Sequence, residues 1–134
     1  MLMRALNTRQ GGGSTLALDR EAGPALGHRH ELDRIDVRVG RIVKVDDVEG
    51  SEKLLKLTVD FGDHRRCILA GMKQERENPR EIEGCQALFV VNLEPKKMMG
   101  QVSEGMLFDL GYADGIVPAL AIPERKVPNG TRAG

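Results

Sequence analysis

At 134 residues the chain has room for one domain with a core, and not for two ordinary ones. An apolar share of 40% against 30% charged residues is the balance of a water-soluble globular protein, and no run approaches the ~20 apolar residues of a membrane span. The formal net charge is zero, twenty basic against twenty acidic residues, which excludes a uniformly basic phosphate-binding coat and confines any nucleic-acid contact to a local patch.

Residues 1–30 show no sustained period, and Gly11-Gly12-Gly13 follow too few apolar residues for a signal peptide. They read as a flexible tail or leader, with a functional arm left open by their arginines, on a cytoplasmic protein. A helical turn is expected around Glu31 to Arg34. Ile35 to Val45 then reads as a long bent strand, with Val37 and Val39 on one face and a shift of phase to Val43 and Val45 after a β-bulge at Gly40. Lys53 to Phe61 alternates cleanly, with Leu55, Leu57, Val59 and Phe61 inward. Gly62-Asp63-His64 gives a tight connection to a third strand, Arg65 to Ala70. In the charged run that follows, Asn78 can cap and Pro79 can open a short helix that Gly84 closes. Cys85 to Leu93 predicts a central strand buried on both faces. Glu94 to Glu104 is a polar loop, and Gly105 to Leu110 a fifth strand.

Five strands with one short helix between the third and fourth is the plan of an all-β, five-stranded OB-fold Greek-key barrel, over residues 31–110. Residues 111–134 form a C-terminal extension. Ile116, Val117, Leu120 and Ile122 are too apolar to stand in water, so the extension is expected to pair two copies, with an intramolecular hairpin over the barrel as the other possibility. Cys67 and Cys85 fall in apolar runs and read as buried free thiols. His28 and His30 have no companion ligands, so no metal or other cofactor is expected. No nucleophile and base set, P-loop or distinct carboxylate pair emerges, which argues against an enzyme.

Charge narrows the site. Glu31 to Asp109 holds thirteen basic and sixteen acidic residues, yet Lys96 and Lys97 stand next to each other in the loop between the last two expected strands. Asn92 and Ser103 offer short hydrogen bonds to ribose or base edges. Gly100 and Gly105 allow close backbone approach, and Met98 and Met99 can offer apolar contact to an exposed base, with Met98 and Met106 reading otherwise as core or loop packing. Arg38 and Arg41 on the first strand, and Lys53 ahead of the second, could line the same face or pair with acidic neighbours. The three Phe fall on strands, so the stacking platforms of a single-strand binder are missing, and the shape of a folded RNA is the expected target.

Three segments carry a resemblance: DVRVGRIVK at Asp36–Lys44, SEKLLKLTVDFG at Ser51–Gly62, and NLEPKKMMGQVSEGM at Asn92–Met106. Together they resemble the tRNA-binding domain family of free-standing tRNA-binding proteins, methionyl-tRNA synthetase C-terminal domains, a region of the phenylalanyl synthetase β-subunit, and CsaA chaperones. The resemblance runs from Leu32 to Arg132. The most specific pattern is met at Asn92, Leu93, Pro95, Lys97, Met98, Gly100, Ser103, Gly105 and Met106. It implies non-catalytic, structure-specific binding of tRNA by a homodimer, with a synthetase as a further partner. A CsaA-like protein-binding role is the rival, and Val127–Thr131 also looks CsaA-like. Glu94 and Met99 replace the basic residues common in relatives, and Val48–Glu52 lacks their usual Pro-Asn-Ala-Asp. Weak, salt-sensitive binding with a log–log salt slope of about −3 is therefore expected.

Overall fold

The structure, a computed structural model, describes residues 29–134, so the expected tail lies outside the described residues except for its last two positions. The chain divides into two units, Met1–Arg34 and Ile35–Gly134. In the first, a short helix α1 spans Arg29–Leu32, slightly ahead of the expected turn. The second unit is the β-domain. Among the described residues, no helix is long and apolar enough to cross a membrane.

Five strands form one antiparallel sheet: β1 (Val37–Asp47), β2 (Leu55–Asp60), β3 (Arg65–Ala70), β4 (Gln86–Val90) and β7 (Met106–Leu107), in the order β3-β2-β1-β4-β7. The sheet curls into a half-barrel of the OB type. β1 makes this possible by changing partner along its length. Its first half, Val37–Arg41, pairs with β4, and its second half, Arg41–Asp47, pairs with β2. The expected bulge is present but sits later, between Ile42 and Lys44. The inward residues are accordingly Ile42 and Val45 rather than Val43 and Val45. Gly40 serves close packing instead. A Cβ there would run into Val59 and come within 2.8 Å of Phe61 Cε1, so only glycine lets β1 cross this close to β2.

Leu55, Leu57, Val59 and Phe61 alternate into the core with Ile68, Ala87, Phe89 and Leu107, as the period-2 pattern predicts. Phe89 is fully buried and meets Phe61 edge-on, with ring centroids 5.6 Å apart. Between β3 and β4 the expected helix is two 3₁₀ turns, Lys73–Glu75 and Pro79–Ile82. In the second, the Asn78 side chain accepts from Arg80 N at 3.2 Å and Pro79 fills the first position. Ile82 anchors it in the core.

The last segment returns onto the barrel. β8 (Asp109–Leu110) pairs with β9 (Ala119–Leu120) around a 3₁₀ turn at Tyr112–Asp114. Beyond it, the backbone of residues 130–133 occupies the open edge of β1: Val39 N donates to Thr131 O at 2.8 Å, Gly130 N to Val39 O at 2.7 Å, and Ala133 N to Val37 O at 2.9 Å. Gln86 clamps this segment, its amide donating to Val127 O and Asn129 Oδ1 and accepting from Val127 N. Leu120 packs on the core, whereas Leu110, Ile116, Val117 and Ile122 stay exposed. Both thiols are free, but the expectation of burial fails: Cys67 is half-buried and Cys85, at the mouth of β4, is exposed.

Candidate nucleic-acid interface

The polar segment after β4 is a β-hairpin rather than an irregular loop. β5 (Lys96–Met98) pairs with β6 (Gln101–Ser103) across the two-residue turn Met99-Gly100. Both turn residues have positive φ, +50° at Met99 and +78° at Gly100, the combination that matches the twist of a tight hairpin. Glycine adopts it without strain. Methionine does not, and holding it there costs on the order of 1–2 kcal/mol. The Met99 side chain reaches the β1–β2 loop, where its Cε would lie 3.3 Å from a Cβ on Gly50. Hairpin apex and β1–β2 loop therefore meet.

Strand alternation revises the picture of a lysine doublet. Lys96 is opposite Ser103 and Met98 opposite Gln101, so these four share one face of the ribbon, while Lys97 and its partner Val102 share the other. The two ammonium groups straddle the hairpin. Both side chains are exposed, and among the described residues neither lies in an ion pair. Lys53 is likewise exposed, on the loop that the hairpin apex touches. Lys53, Lys96, Lys97 and the half-buried Met98 thus fall on adjoining loops at one end of the barrel.

Other residues of the expected set serve the fold. Ser103 is 3% exposed; its hydroxyl accepts from Leu69 N at 3.0 Å and donates to Gly105 O at 3.1 Å. Glu104 continues the seam, its carboxylate accepting from Cys67 N at 3.1 Å and its N–H donating to Cys67 O at 2.8 Å. Ser103 and Glu104 therefore close the barrel against β3 and satisfy an edge that would otherwise be bare. Gly105 suits the tight space there, because a Cβ would lie only 3.0 Å from Val90 O and 3.1 Å from Ile68. Asn92 Oδ1 accepts from Asp36 N at 2.8 Å, tying the exit of β4 to the entry of β1. Gly100, by contrast, is in open space, and Met106 is exposed on β7.

Arg38 and Arg41 are held by carboxylates. The Arg38 guanidinium donates to Asp36 at 3.0–3.2 Å, and this hydrogen bond with its charge raises the arginine's already high pKa. Arg41 pairs with Asp60 at 3.6 Å. Burial pushes the Cys67 thiol upward, so this sulfur beside the seam stays protonated and is a poor nucleophile. Sequence reasoning misses Arg66, whose guanidinium donates to Val91 O at 2.6 Å and Glu104 O at 3.1 Å, and Glu104 itself. Both act through backbone partners far along the chain and leave no local pattern.

A small half-barrel with an exposed cationic hairpin defines an OB-type binding module. Comparison with known proteins then gives the family. The family model described as "Putative tRNA binding domain" matches residues 37–132, and the chain belongs to this tRNA-binding domain family. It is 38% identical over 102 residues to the methionine–tRNA ligase of Archaeoglobus fulgidus and 39% identical over 102 residues to that of Thermococcus kodakarensis. It covers 15% and 13% of those proteins, against 76% of its own length. The chain thus spans only a small part of the curated relatives it matches. Among solved structures it is similar to a MetRS-related protein from Pyrococcus horikoshii, with TM-score 0.76 and 36% identity, covering 83% of this chain and all of that one. It is also similar to the chaperone CsaA of Bacillus anthracis, with TM-score 0.69 and 25% identity, covering 82% of this chain and all of that one.

Proposed function

We propose that this chain is a non-catalytic cytoplasmic module that binds folded tRNA at the β5–β6 hairpin, with little regard to nucleotide sequence, and that it works as a homodimer. The observation that carries the reading is the pair of exposed lysines, Lys96 and Lys97, without ion-pair partners among the described residues, on a domain whose β1 cations are neutralised. An ammonium group with no carboxylate beside it can exchange its counterion for a phosphate at little cost. Placed on opposite faces of a narrow ribbon, the two can engage phosphates on either side of a groove, which suits a folded RNA better than a single extended strand. Membership of the tRNA-binding family and the kinship with methionine–tRNA ligases support the same ligand, and make a synthetase chain a further partner of this reading. The second copy is assigned to the exposed Leu110, Val117 and Ile122, which nothing among the described residues covers. Two hairpins on one two-fold dimer would raise avidity for a single tRNA.

The test is titration of the full chain with bulk tRNA at low salt, beside a Lys96→Ala, Lys97→Ala double variant. The proposal expects the double variant to fold, to keep its dimer mass by light scattering, and to lose at least about ten-fold in affinity. An unchanged affinity would refute the assignment of the hairpin, and a monomer at micromolar concentration would refute the dimer. A second reading, protein binding in the manner of a chaperone, draws on the similarity to CsaA and on Leu93, Met99, Val102 and Met106, which are exposed around the same lysines. Retention of an unfolded peptide with no shift of tRNA would favour it.

A further inference from the structure

One aromatic ring of the β-domain is turned outward. Tyr112 is 75% exposed, while Phe61, Phe89 and Phe108 are buried. It opens a 3₁₀ turn set between two left-handed glycines, Gly111 at φ +100° and Gly115 at φ +76°, and the Ile116 side chain folds back so closely over Gly111 that no Cβ would fit there. The ring is therefore presented by a pinned turn rather than a loose loop. It forms one wall of an open cavity of about 390 Å³, lined also by Lys53, Gln74, Glu75, Ile116 and Pro118.

We propose that this cavity receives one unstacked nucleobase of the bound RNA, with its ring against Tyr112 and its phosphate on Lys53; the inference rests on the tRNA-binding reading above. Three observations support that occupant. Tyr112 offers a π-face, and Ile116 and Pro118 supply the apolar floor that a flat heterocycle needs. Lys53 brings a cation to the rim, and has no ion-pair partner among the described residues. The rim is continuous with the hairpin, because the β1–β2 loop that carries Lys53 is the loop that Met99 touches at Gly50. A strand of RNA held at Lys96 would be led over that contact toward Lys53. Gln74, which also lines it, adds a side-chain amide suited to hydrogen bonding with a base edge. A second copy of the chain would instead need only the apolar wall and would leave Lys53 unused.

Tyr112 is the sole tyrosine and the chain has no tryptophan, so its emission reports on this cavity alone. Titrating the full chain with bulk tRNA, with absorption corrected on free N-acetyltyrosinamide, should quench that emission and shield it from iodide. Tyr112→Ala should weaken tRNA binding by at least about five-fold, the lower end of what one stacked base contributes, and Tyr112→Phe should restore it. Neither variant should change the thermal midpoint or the mass in solution. Unaltered emission and affinity, with tRNA still bound through the lysines, would overturn the base site and leave the hairpin assignment standing. A Tyr112→Ala chain that becomes monomeric would overturn it in favour of a second copy. No binding of tRNA by the wild-type chain would remove both.

Discussion

Two regions of this domain carry cations and hold them differently. Along β1 and the turns after β3, Arg38 meets Asp36, Arg41 meets Asp60, Lys44 and Arg80 share Asp46, Arg80 also meets Glu83, and Lys73 meets Asp47. On the β5–β6 hairpin, Lys96 and Lys97 meet no carboxylate among the described residues, and the nearby Glu104 is committed to β3. A net charge of zero therefore conceals an uneven distribution. What makes a cation available to phosphate is the lack of a local partner, not its frequency in the sequence.

The contrast holds only if the barrel supports the hairpin without depending on it. The largest effect is expected where the two meet least. Phe89→Ala empties the centre of the core and should lower stability by about 3–5 kcal/mol in denaturant titration, a large share of what a domain this size possesses. The hairpin variants should leave the denaturation midpoint in place. A comparable loss in Lys96→Ala or Lys97→Ala would mean that the hairpin is part of the cooperative core.

The next effect separates the two lysines. Each phosphate contact contributes roughly 0.9 to the slope of log affinity against log salt on duplex nucleic acid. From a wild-type slope of about −3, Lys96→Ala and Lys97→Ala should each bring the slope about one unit nearer zero. Since the side chains lie on opposite faces of the ribbon, their effects should add. A loss from one variant alone would show that only one face of the hairpin meets RNA.

Much of the barrel is legible because period-2 burial is local. Leu55, Leu57, Val59 and Phe61 announce β2, and β3 has the expected bounds. The bulge is harder to place because Gly40 has two physical uses, bending a strand and permitting close approach, and sequence does not distinguish them; here the register shift lies at Val43 and Gly40 serves the crossing. The hairpin within Glu94–Glu104 is hidden by its three-residue strands and by a methionine where a tight turn favours Asn or Gly. Ser103 resembles a ligand for RNA in the sequence because its bond to Leu69 N joins positions 34 residues apart, a pairing with no trace in any window of residues. The closing run 130–133 is invisible for the same reason: it pairs by backbone, which carries no residue code.

A smaller effect tests the junction between barrel and C-terminal segment. Burial raises the pKa of Asp109 on β8, and burial together with the charge of Asp109 raises that of Glu75, while Arg76 opposes both. The folded domain thus keeps protons that the unfolded chain has released. What these two carboxyls contribute to stability is greatest below the ordinary carboxylate range and declines as pH rises from about 4 through their folded values. Asp109→Asn cannot ionise. It should be more stable than the wild type at pH 7, with the gap closing towards pH 4 in thermal melts. A gap that widens on acidification would show that the Arg76 attraction outweighs burial.

The smallest effect is the most telling for the comparison. Arg41 is a cation on a barrel strand, 38% exposed, and by charge alone it is as good a phosphate ligand as Lys97. Its guanidinium lies 3.6 Å from Asp60, so contact with phosphate would first require separating that pair and would leave a carboxylate facing the RNA. Surface pairs of this kind contribute about 0–1 kcal/mol to stability, and Arg41→Ala should fall in that range. It should also leave tRNA affinity within about two-fold, because the gain of one unmasked carboxylate is distant and screened at ordinary salt. If Arg41→Ala instead weakens binding as much as Lys97→Ala, pairing with Asp60 does not withhold the arginine, and the RNA-binding face extends from the hairpin across β1.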